Sequence, residues 1–147
     1  MGIIFDQLIK RFPDYPHLKA VETFVNNVTD NMDPLLIIMF GALPRDDYTH
    51  NSDVDILLIF EHPVTWNEIF SYGTGVIQPI SKTRVDFIDH LKKGNAFFIQ
   101  ILEEGIVLYS REDVLEELKD IASRSIQQLN MARVEKGWDD EDYEDEE

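Results

Sequence analysis

A chain of 147 residues that is 44% hydrophobic has room for one core and is too short for two domains of ordinary size. It has no cysteine, which excludes disulfides and cysteine-ligated zinc, so any metal must sit on oxygen or histidine. The net charge of −16 is unevenly spread: Asp139 to Glu147 holds eight of the 29 acidic residues, leaving 21 against 13 basic ones for the body, and an acidic body argues against a broad DNA- or RNA-binding face.

No apolar run approaches the roughly 20 residues needed to cross a bilayer, and the first residues lack the pattern of a signal peptide. The expectation is a soluble, cytoplasmic protein without a membrane span. In chain order, Gly2 to Arg11 carries Ile4, Phe5, Leu8 and Ile9 at helical spacing and predicts a short docking helix that ends before Pro13. His17 to Asn31 repeats the pattern with Leu18, Val21, Val25 and Val28, and stops at Asp33-Pro34. His17 reads as an exposed helix-start residue, since no other histidine lies at ligand spacing.

Leu35 to Phe40 is apolar at every position, as in a strand buried on both faces, which needs helices on at least one side of the sheet. A polar loop follows, and Asp53 to Phe60 then predicts a second strand. Residues two apart on a strand share a face, so Asp53 and Asp55 point the same way with Cα atoms roughly 6.5 Å apart. Leu57 and Ile59 continue that face, and Val54, Ile56, Leu58 and Phe60 form the other.

Thr65 and Glu68 have the spacing of a capping box, with Val64 and Ile69 as its hydrophobic staple, so a helix is expected over Val64 to Tyr72, with Trp66 covering the sheet. Thr74 to Lys82, interrupted by Gly75 and Pro79, gives no clear assignment. Arg84 to Ile88 reads as a third strand, which makes Asp86 a third strand-borne carboxylate. Asn95 caps an expected helix with Phe97, Phe98, Ile101 and Leu102 as a core stripe and Glu103 and Glu104 as its solvated end, followed by a short strand at Ile106 to Tyr109. Ser110 and Asp113 resemble a capped start, and Val114, Leu118, Ile121, Ala122, Ile126 and Leu129 define a long amphipathic helix. The reading is an α/β (α+β) domain over 1–136, with a core at 35–109, a C-terminal helix at 111–134, and a small mixed sheet of three to four strands packed with helices. Residues 137–147 form an acidic tail too polar to fold.

Carboxylates converging at strand ends must be separated by solvent, be partly protonated, or share a cation. Oxygen-only ligands suit Mg²⁺ or Mn²⁺ together with substrate phosphates and water. Beside them, Gly41-Ala42-Leu43-Pro44 leaves a strand where free backbone N–H groups can hold phosphate oxygens.

Gly41-Ala42, ten intervening residues and then Asp53-Val54-Asp55 resembles the Gly-Ser-x10-Asp-x-Asp signature of the minimal nucleotidyltransferase (MNT) family, within the DNA polymerase beta-like nucleotidyltransferase superfamily. Arg45 falls where the family often has arginine, and Leu102 to Tyr109 looks like the family's ending. The resemblance implies a magnesium-dependent enzyme that moves a nucleoside monophosphate, AMP from ATP, to an acceptor hydroxyl. Asp53, Asp55 and Asp86 would be its catalytic and metal-binding residues, and Gly41, Ala42 and Arg45 would bind the phosphates. Minimal members often act as antitoxins that place AMP on a small helical HEPN-type partner. An aminoglycoside-type acceptor is the second enzyme reading, for which a homodimer would have to enclose the drug; a catalytically silent binding module is the third. Ala42 stands where the family has serine, which removes a phosphate-binding hydroxyl worth on the order of 1.5–3 kcal/mol. Asp46 replaces a frequent glycine. His50 reads as a solvated loop residue.

Overall fold

In a computed structural model of the chain, the described residues are 2–3, 5–41, 53–73 and 75–135, with side chains for 8–41, 53–73 and 75–131. The uninterrupted apolar run after Asp33-Pro34 forms β2 (Leu36–Phe40), which lies inside a sheet ordered β1-β5-β2-β3-β4. Its partners are β3 (Val54–Phe60) and β5 (Ile106–Ser110), both antiparallel to it. β4 (Ile77–Thr83) pairs with β3 in parallel, which makes the sheet mixed. The fifth strand, β1 (Gly2–Ile3), is two residues long and pairs with β5 where a helix was expected to begin; α1 occupies Phe5–Arg11.

Alternation along β2 and β3 divides the core as the sequence predicts. Ile37, Met39, Ile56, Leu58 and Phe60 meet Leu8 of α1, the buried stripe Val21, Phe24, Val25 and Val28 of α2 (Leu18–Asn31), and Ile69 of α3 (Trp66–Ser71). Leu36, Ile38, Leu57 and Ile59 meet the helices of the opposite layer: α4 (Arg84–Lys92), α5 (Ala96–Glu104) and α6 (Val114–Glu135). Each fully buried Leu, Ile or Phe contributes roughly 1.5–3 kcal/mol, so both faces of the sheet are held by apolar burial.

Local signals set several helix starts. Thr65 accepts from the backbone N–H of Glu68 at 3.2 Å, and Asn95 accepts from those of Phe97 and Phe98. Trp66 does not cover the sheet: Ile69 takes the inward face of α3, while Trp66 stays 55% exposed and stacks on Phe70 with ring centroids 4.4 Å apart. His17 is half-buried rather than exposed, because its ring folds edge-on against Tyr15, and its Nε2 has no hydrogen-bond partner among the described residues. Ser110 belongs to β5 and its hydroxyl donates to the Arg111 carbonyl, so it does not cap α6.

The largest departure from the sequence reading lies at Thr74 to Ile88. The stretch left unassigned holds β4, and Arg84 to Ile88 is the start of α4, not a strand. Pro79 is tolerated because β4 is an edge strand, where a missing N–H costs no ladder bond. Thr83 accepts from the N–H of Asp86 at 3.1 Å, and Phe87 and Leu91, four residues apart, are fully buried. Thr83-x-x-Asp86 is thus the same start signal as Thr65-x-x-Glu68. Arg84 then ties the two neighbouring helices together through a two-oxygen contact with Glu117 of α6, at 2.5 and 2.6 Å.

Candidate active site

β3 leaves the polar loop at Asp53 and passes immediately beneath the end of β2, where Phe40 pairs with Asp55. Asp53 is exposed and Asp55 half-buried on the face that continues into Leu57 and Ile59. Burial pushes the Asp55 carboxyl above its ordinary value of 3.8, and the neighbouring Asp53 charge pushes it further the same way. A carboxylate held partly out of water, beside a like charge, is a group whose ionised form gains from a cation.

Gly41 defines the other wall. Its φ of +91° lies where side chains are rarely accommodated, and a Cβ added there would overlap Oδ2 of Asp55. The glycine therefore makes space for the carboxylate itself, a tighter role than the phosphate approach expected from sequence. Gly105 permits a similar approach from below: a Cβ on it would run into the side chain of Ile38 and the backbone of α5. That close packing brings α5 against β2 and leaves a cleft of about 210 Å³ beside Asp55, lined in part by Phe40, Gly41, Phe97, Gln100 and Glu104.

Asp86 does not join this pair. Parallel pairing sets Asp55 opposite Gln78 and Phe60 opposite Thr83, so the start of α4 is five strand residues away, about 16 Å at the usual rise. Asp86 is exposed, lies 3.6 Å from Lys82, and borders a different hollow with Phe60 and His62. The residue paired with Asp55 on β4 is Gln78, whose amide donates to the Gly75 carbonyl. Asp86→Asn should therefore leave nucleotide binding and transfer within about twofold of the parent and cost a few tenths of a kcal/mol in a melt, the usual worth of an exposed pair at a helix start. A loss of transfer comparable to that of Asp55→Asn would return Asp86 to the site.

Ala42, Arg45, Asp46 and His50 lie outside the described residues, as does the acidic tail. Among the described residues, no three acidic, histidine or cysteine side chains converge as a metal cluster, and no helix is long and apolar enough to cross a membrane. The residues missed in the sequence reading are on α5. The sequence places Phe97 in the core, whereas it lines the cleft beside Asp55 together with Gln100 and Glu104; Glu104 is exposed, as expected of a helix end. The signal was present in their spacing of three and four. Phe98, Ile101 and Leu102 are buried as expected, and Phe97 is 47% exposed.

Comparison with known proteins gives this arrangement a family. The model described as polymerase beta, nucleotidyltransferase matches residues 22–114. The chain is 34% identical over 99 residues to putative protein adenylyltransferase MJ0604 of Methanocaldococcus jannaschii, covering 62% of this chain and 96% of the relative. A nucleotidyltransferase-like protein from Exiguobacterium sibiricum shares the fold with a TM-score of 0.52 at 21% identity, over 71% of this chain and 38% of that longer one. A toxin-antitoxin crystallised with AMP-PNP matches with a TM-score of 0.48 at 15% identity, over 79% and 91%. The match spans β2, the Asp53–Asp55 pair and β5, and the chain belongs to the polymerase beta nucleotidyltransferase family, as an enzyme of the nucleotidyltransferase type.

Proposed function

We propose that this protein transfers AMP from ATP to a hydroxyl group on another protein. The observation that carries the reading is the half-buried Asp55 carboxylate, closed in by Gly41 at an open cleft and raised in pKa by burial and by the neighbouring charge of Asp53. The name of the Methanocaldococcus relative, a protein adenylyltransferase, supports a protein acceptor. The family works generally with a nucleoside triphosphate and a divalent metal.

The donor set fits such a cation. Both groups are hard carboxylate oxygens, and Asp55 has its pKa raised as expected for a charge that lacks compensation. Asp53 and Asp55 would hold Mg²⁺ or Mn²⁺, which when bound would neutralise charge on the triphosphate. The chain's own contribution is positional. β3 sets Asp55 on one face two residues beyond Asp53, and Gly41 leaves Asp55 room to face the cleft. Ala42 retains a backbone N–H for phosphate oxygens, and Arg45 offers them a cation. In the transfer the acceptor hydroxyl gives up its proton to solvent, its oxygen bonds to the α-phosphorus, and the α–β phosphoanhydride bond breaks so that pyrophosphate departs. Residues 1–136 would act as one cytoplasmic domain. The acceptor would be a small helical protein of the HEPN type, the partner that the resemblance to minimal nucleotidyltransferases implies.

Incubation with ATP labelled on the α-phosphate, Mg²⁺ and the product of a neighbouring reading frame should label that product. Asp53→Asn should abolish the labelling. Absence of label on any acceptor, with the parent no different from Asp53→Asn, would leave the chain as a silent binding module.

A further inference from the structure

The transfer reaction needs the nucleotide's base held as well as its phosphates, and the cleft beside Asp55 has the chemistry to do so. We propose that the α5 wall of this cleft is the nucleobase subsite, with Phe97 as its stacking platform and Gln100 selecting bases that present an amine, adenine N6 or cytosine N4, over the carbonyl of guanine or uracil. The inference rests on the reading that Asp53 and Asp55 receive a nucleoside triphosphate.

Three observations converge. Phe97 is a large apolar ring left 47% exposed at the cleft. Its neighbours Phe40 and Phe98 meet it at 85° and 63°, so neither lies flat on it and the stacked geometry remains open to a ligand. Gln100, one turn along the same face, donates its amide NH₂ to Oε2 of Glu104 at 3.2 Å. That contact uses one amide N–H and leaves the amide oxygen as an acceptor. An acceptor oxygen of Gln100 in the cleft lining is a match for the exocyclic amine of adenine N6 or cytosine N4 and a mismatch for the carbonyl that guanine or uracil carries at the same position of the ring. Finally, Gly41 and Asp55 line the same cleft, so base and reacting phosphates would be held within the reach of one nucleotide.

A purely apolar pocket discriminates weakly between such bases, whereas a site built to hydrogen-bond one edge rejects the other strongly. Calorimetric titration of the full chain with ATP, CTP, GTP, UTP and inorganic tripolyphosphate, each with Mg²⁺, tests this. ATP and CTP should bind at least about tenfold more tightly than GTP and UTP, given the cost of an unmatched polar edge. Phe97→Ala should weaken ATP by about tenfold or more, the usual worth of a stacked base, while leaving tripolyphosphate unchanged. Gln100→Leu, at an exposed helix position and so safe for folding, should erase the preference among the four bases. Equal binding of all four nucleotides, unaltered by Gln100→Leu, would overturn the base subsite while the triphosphate reading stood. Failure of every nucleotide and of tripolyphosphate to bind would overturn both.

Discussion

Asp55→Asn should abolish nucleotidyl transfer, by on the order of 10²–10³-fold or more, the effect of removing one preorganised group that meets developing charge. The same change should leave the unfolding midpoint equal to the parent's or raise it. The two results together are diagnostic, because a purely structural aspartate would lose stability and activity in parallel. Burial and the Asp53 charge both raise the folded-state pKa of Asp55 above 3.8, so the ionised form opposes folding. The sign follows from proton linkage. Between 3.8 and the raised folded value, the folded state binds more protons than the unfolded one, and stability falls as pH rises. Above that window the penalty is fully present; below it, absent. The asparagine side chain has nearly the same shape and no charge. The difference in unfolding free energy, variant minus parent, should therefore be near zero at pH below 3.8, grow through the folded pKa, and then level off. Urea titrations across pH measure that difference directly, with the contributions of the other acidic groups cancelling between the two proteins. Mg²⁺ with ATP should raise the parent's midpoint and leave the variant's unchanged, since only the parent keeps both carboxylates. A variant destabilised at neutral pH would sink the claim of an uncompensated charge.

The same stretch shows how far the sequence could be read. Leu36 to Phe40 and Val54 to Phe60 were legible because apolar runs of strand length, with acids confined to one end, have few alternative placements. Their facing was legible too, since strand periodicity alone puts Asp55 with Leu57 and Ile59. Asp86 was misplaced because Arg84, Asp86 and Ile88 also satisfy a period of two. Four or five residues cannot distinguish a strand from the first turn of a helix. Thr83 three residues before Asp86 carried the deciding information, and Pro79 obscured the strand preceding it because tolerance of proline depends on being at the sheet's edge, a property of topology. The α5 wall was hidden for a related reason. Phe97 and Phe98 are adjacent apolar residues, but successive helix positions diverge by about 100°, so only one of them can face the core fully.

Gly41→Ala should be as damaging to transfer as loss of the carboxylate and more damaging to the fold. The backbone at φ +91° already disfavours a side chain, and the new Cβ would overlap Oδ2 of Asp55. A destabilisation of about 1–3 kcal/mol is expected from strain at such a position. Relief could come only by turning the Asp55 carboxylate away from the cleft or by moving the end of β2, and either displaces the group that faces the substrate. The two sources of cost can be separated by a double-mutant cycle with Asp55→Ala. If the glycine serves only its own backbone, the two substitutions should add in unfolding free energy. If it makes room for Asp55, shortening that side chain removes the overlap, and Gly41→Ala should cost less in the Asp55→Ala background, by about 0.5–3 kcal/mol as for residues in contact. Additivity would confine Gly41 to turn geometry. The expected non-additivity would instead make the glycine and the aspartate one unit, joining the end of β2 to the start of β3, whose conformation and charge together hold the carboxylate at the cleft.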